Sequence, residues 1–281
     1  MKQIRSKAFL KFKDLIGQNN HYLITILIGL DGVKNKLVTK SDEFHTTWKP
    51  KDLDSTVNRS RHFAIKATMA WIVDGIDTYF SLCNRKPNLL QDEDFISQLS
   101  SADKSVYKKL YVFINNLKLT CPEVFLIDLV ITWRNRLVHF LARTPINDEL
   151  KNNLIQNKQY FIDNYQGLDI SLTLENFDKN EVPKFKEITS FIRAAIKLVE
   201  NIDRELLQKL DNERFYKEVL SEYLSDNFLH KLDKIWSEDQ NSRERTLINI
   251  YRQYGIIFNP SDSEIIKYSN MTYSDAKQYF T

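Results

Sequence analysis

Apolar residues recur three and four apart over long stretches of this chain, the period of a helix with one buried face. From Arg59 to Asn84 the apolar positions include Phe63, Ile65, Met69, Ile72, Val73, Ile76, Tyr79 and Phe80, and Asn84 to Asn88, with Pro87, closes the segment. A second helix is expected from Asp103 to Leu119 around Val106, Leu110, Phe113, Ile114 and Leu117. Pro122 suits the first position of a third helix, from Glu123 to about Arg143, which Thr144-Pro145 ends. A polar helix follows near Asp148 to Tyr165, and Asp169 to Phe177 reads as extended or irregular. Pro183 opens what reads as the longest helix, reaching about Leu210. Along it Phe185, Ile188, Ile192, Ala195, Val199, Ile202 and Leu206 alternate three and four apart, a heptad-like seam.

The two ends are less regular. Ala8 to Phe12 with Leu15-Ile16 suggests one short helix, whereas Tyr22 to Leu30 fits a helix or a buried strand equally, because periodicity does not separate them at that length. Trp48-Lys49-Pro50 reads as a loop. Beyond Asp211-Asn212, helical patterns run from Phe215 to Trp236 and from Arg243 to Tyr254, before a tyrosine-rich stretch from Gly255. The expected fold is therefore all-α, an antiparallel helical bundle over 55–210 with an N-terminal extension at 1–54 and a C-terminal helical extension at 211–281. Only 6 Gly and 6 Pro in 281 residues strengthen that expectation, since long helices need little punctuation.

Charge narrows the functional classes only locally. A net charge of +3 gives no global attraction to nucleic acid, so any electrostatic footprint must be regional. One such region opens the chain: Lys2, Arg5, Lys7, Lys11 and Lys13 precede the first acid, Asp14. It reads either as a solvated helix face or as an arm that tracks phosphates. Cys83 and Cys121 are too few for a disulfide scaffold and too far apart for a metal motif, which fits a reducing cytoplasm. The apolar run Leu23 to Ile28 is too short to span a bilayer, so no membrane association is expected. His21, His45, His62 and His230 lack metal-ligand spacing, and no metal site or cofactor is expected.

The third helix carries the candidate chemistry. Leu126, Val130, Trp133, Leu137 and Leu141 form one apolar stripe, while Asp128, Thr132, Asn135 and His139 fall within roughly 60° of one another on another face. Polar groups on a helix apolar nearly all round must meet partners or line a cleft, because burying them unpaired is costly. Arg134 lies about 140° round from His139, so one helix alone makes a poor site. Lys66, Asp74, Asp77 and Ser81 share a face of the first apolar helix, and an Asp there is placed to orient His139 or to hold an arginine.

Arg134-Asn135-Arg136-Leu137-Val138-His139 has the form R-N-x-x-x-H. With its setting, a late helix preceded by one with internal acids, it resembles the HEPN (higher eukaryotes and prokaryotes nucleotide-binding) superfamily over about residues 55–210. The resemblance implies a dimeric ribonuclease that cuts without metal, of the kind found in toxin–antitoxin and phage-defence systems, with RNA as substrate and an antitoxin or defence-system protein as a further partner. It implies that Arg134 and His139 are catalytic and that Asn135 positions them, with Asp74 and Asp77 as candidate acidic helpers. Arg136, Arg143 and Lys66 are then the candidate RNA-binding cations. The chemistry suits the residue types. RNA brings its own nucleophile, imidazole moves protons near neutral pH, and a guanidinium steadies developing phosphorane charge. Two other readings stay open: an interhelical salt link or cap at Arg134 and His139, and a HEPN-like module that only binds or dimerises. Walker-type, dinucleotide-glycine, Ser-His-Asp and His-x-Glu patterns are not found.

Overall fold

The computed structural model describes residues 5–138, 145–257 and 262–281. Its regular elements among these are all helices: α1 Lys7–Lys34, α2 Leu53–Cys83, α3 Glu93–Ser101, α4 Val106–Leu117, α5 Glu123–Val138, α6 Asp148–Gln156, α7 Lys158–Asn164, α8 Ile170–Asp178, α9 Phe185–Lys209, α10 Asn212–Ser225, α11 Phe228–Trp236, α12 Gln240–Gln253, α13 Ser263–Ser269 and α14 Tyr273–Phe280. The all-α expectation holds. Among the described residues, no helix is long and apolar enough to cross a membrane.

Several boundaries differ from expectation. The segment from Tyr22 to Leu30 belongs to a single 28-residue helix, so the strand alternative is excluded. Asp169 to Phe177 is not extended: the Asp169 side chain accepts from the Leu172 amide, and Ile170, Thr173, Leu174 and Phe177 are buried at helical spacing. The polar helix after Asn147 breaks at Asn157 into α6 and α7. At 31 residues α2 exceeds the 25 of α9, because the helix begins at Leu53, ahead of the apolar run. Helix α3 was hidden in a short segment, where Asp92 caps Phe95.

The chain divides into two units, each discontinuous in sequence. The first contains the described residues of Met1–Phe12, Thr78–Leu119 and Val199–Thr281. Phe113 stacks on Phe80 at 4.3 Å and meets Phe95 edge-on. Buried Trp236 donates through Nε1 to the Tyr268 carbonyl (3.0 Å), and the Tyr251 hydroxyl donates to the Tyr216 carbonyl (3.2 Å). The C-terminal tyrosines Tyr251 and Tyr268 thus serve as core. Asp203, almost fully buried, accepts from the Ser6 amide (3.0 Å), the Ser6 hydroxyl and the Tyr79 hydroxyl (3.1 Å), tying the first residues to α9. Burial raises its pKa, against the pull of those hydrogen bonds.

The second unit contains the described residues of Lys13–Asp77 and Thr120–Leu198. Its centre is α5, buried from Glu123 to Trp133 except for half-buried Phe125. Trp133 meets Phe177 and Phe191 edge-on and donates from Nε1 to the Glu181 carbonyl (3.1 Å). At the helix start, Glu123 is 1% exposed and accepts from Tyr165 Oη (2.7 Å) and Tyr160 Oη.

Candidate functional site

Helix α5 changes character at Trp133. Before it, a surface apolar nearly all round buries the helix; after it, Arg134, Asn135, Arg136 and Leu137 are half-buried and Val138 is exposed. The polar residues that follow the core therefore emerge together at its boundary. The long guanidinium of Arg134 stays partly inside, and its Nε is buried with no hydrogen-bond partner among the described residues. Burial lowers the Arg134 pKa, and the carboxylates of Asp74 and then Asp77, both on α2, oppose that shift. Asp74 is exposed and Asp77 half-buried, so acidic α2 residues flank the cation from the surface inward.

The structure thus brings Arg134, Asp74 and Asp77 into electrostatic reach of one another, with Asn135 next along α5. Lys66 lies half-buried on α2, eight residues before Asp74 and so about 12 Å away along the axis. Arg136 is engaged inside the fold. Its Nη1 donates to the Phe177 carbonyl (3.1 Å) and its guanidinium lies 4.2 Å from the Phe177 ring centre. His139 and Arg143 lie outside the described residues. Of the polar stripe, Asp128 and Thr132 are buried, and Thr132 Oγ1 donates to Asp128 Oδ1 at 3.5 Å. That half of the stripe is interior.

Sequence reasoning passed over Glu123 and its two tyrosines. The available signal was a carboxylate opening an otherwise apolar helix, which must find donors if buried. Among the described residues, no group of three or more His, Cys, Asp or Glu side chains is placed to hold a metal ion. No family model matches this chain, and neither a curated protein nor a solved structure matches it.

Proposed function

We propose that this chain is a HEPN-like, metal-independent endoribonuclease, acting as a toxin or anti-phage effector. The observation that carries the reading is Arg134, a half-buried guanidinium beside two carboxylates whose Nε has no partner among the described residues, at the arginine position of R-N-x-x-x-H. A buried donor without an acceptor costs about 1–3 kcal/mol. A phosphate oxygen arriving in its place removes that cost and gains a charge-assisted bond. In the reaction the RNA 2′-oxygen attacks its own phosphorus, losing its proton to a base. The bond to the 5′-oxygen breaks, and that oxygen takes a proton from an acid. The products are a 2′,3′-cyclic phosphate and a 5′-OH. His139 is suited to either proton step, and Arg134 to the charge on the phosphorane oxygens.

Two imidazoles, one accepting and one donating, require a second copy of the chain. A homodimer has a surface on which to form: Phe63 is 75% exposed and Trp71 51%, on the α2 face that also carries Asp74. One experiment tests site and assembly together. RNA cleavage is measured with chelator present for wild type, Arg134→Ala, His139→Ala and Phe63→Lys/Trp71→Lys, with sedimentation velocity on each. Both active-site variants are expected to lose about a hundredfold or more in rate while remaining dimers. The α2 variant is expected to lose dimer and activity at unchanged Tm. DNA should not be cut. Cleavage unchanged in both active-site variants would falsify the site, and a wild type that cuts no RNA leaves the non-catalytic binding module in its place.

A further inference from the structure

We propose that the first unit holds a second, separate binding site, for a small phosphate-bearing ligand. The site is a cavity of about 210 Å³, the space of roughly seven waters, lined by four cationic residues: Lys7 and Lys11 from α1, and Arg85 and Lys86 from the turn after α2. Lys7 and Lys11 stand one helical turn apart on the same face, and the turn cations line the same cavity. Against them stands a single carboxylate, Glu222. Leu82, Leu89, Pro87 and Phe215 give the cavity an apolar wall, and Tyr254 an aromatic one. Like charges gathered round a concavity repel one another, and a bound phosphate converts that repulsion to attraction.

The surroundings hold the start of α1, and Lys7 with it, in place. Ser6 is pinned through its amide and hydroxyl to buried Asp203, and Arg5 pairs with Glu200 at 2.9 Å. The Lys7 ammonium lies 4.4 Å from the Tyr254 ring centre. The next residue, Gly255, has φ +81°, and a Cβ there would lie 2.1 Å from the Arg5 carbonyl oxygen. Backbone therefore packs directly on backbone next to Ser6 and Tyr254, which line the cavity. The basic opening of the chain thus resolves into two roles. Arg5 is spent on the fold, whereas Lys7 and Lys11 line the cavity with the two turn cations. A phosphate there with an apolar or aromatic moiety against Phe215 and Tyr254 describes a nucleotide, free or at the end of an RNA chain.

The proposal does not rest on the ribonuclease reading, and its test involves no cleavage. Calorimetric titration of the full chain uses pyrophosphate, ATP, adenosine and a 5′-phosphorylated oligoribonucleotide, at two salt concentrations. Pyrophosphate and ATP should bind, adenosine should not, and affinity should fall with salt. Lys11→Gln/Arg85→Gln should weaken binding at least about tenfold, at a circular dichroism spectrum and Tm matching wild type. Glu222→Gln should tighten it, a gain that misfolding does not mimic. Stronger binding of the oligoribonucleotide than of ATP, with the same variant response, supports the site and names the chain end as its source. Absence of binding by every phosphate-bearing probe at millimolar concentration overturns the proposal, as does binding that neither variant alters.

Discussion

Glu123 shows how much one residue can be asked to hold. It sits at the first turn of α5, where a negative charge meets the positive end of the helix dipole. Two phenol hydroxyls donate to it, and both tyrosine pKa values are raised, first by burial and then by the bonds to the carboxylate. Removing the acceptor costs both hydroxyls their carboxylate, leaving only the bond between the two phenols, with Tyr165 buried. Glu123→Ala is therefore expected to destabilise the fold by about 2–4 kcal/mol, read as a lower urea midpoint at unchanged m-value. Glu123→Gln, which keeps one acceptor oxygen, should cost less. Equal stability of wild type and the alanine variant would mean that the tyrosines re-bond elsewhere.

At the scale of elements, the close approach of Gly255 to Arg5 is the sharpest constraint. Gly255→Ala places a methyl where the backbone already sits and forces a positive φ on an L side chain, so about 2 kcal/mol or more should be lost in urea unfolding. A midpoint within error of wild type would show that the arm moves aside freely. The same scale explains what was legible. Helices α2, α5 and α9 announce themselves because long apolar runs at one period leave no competing pattern. In α8, Ile170, Leu172 and Leu174 also alternate at period two, so a strand-like reading competes over nine residues. Only the Asp169 cap separates the two. In the site, the face of α2 with Asp74 and Asp77 could be read from spacing, and so could the polar end of α5. That Arg136 would be taken up by the Phe177 ring and carbonyl could not be read, because α8 itself was not recognised.

For the whole molecule, buried phenols set a limit at high pH. Burial raises Tyr79, Tyr165, Tyr251 and Tyr268 above their ordinary range, and lifts Tyr216 to about 12. A phenol with its folded pKa above its unfolded one contributes fully below about pH 10. That contribution is lost as pH rises through the folded value. Thermal unfolding should therefore move to lower temperature progressively between about pH 10 and 12, with phenolate absorbance appearing late and together with loss of helix. A Tm unchanged across that range would contradict the burial assigned to these rings.

The discontinuity of the two units has a consequence for the order in which they can form. All segments of the second unit have been synthesised once Leu198 has been added. The first unit needs Asp203 to receive Ser6 and Tyr79, and Tyr254 and Gly255 to receive Lys7 and Arg5. At ribosomal speeds the stretch from Val199 to Thr281 takes on the order of 4–17 s. Asp203 arrives within the first five residues of that stretch, but until Gly255 has been added Lys7 and Arg5 lack Tyr254 and Gly255, and the phosphate-binding cavity, which draws on residues from Ser6 to Tyr254, is among the last features to exist.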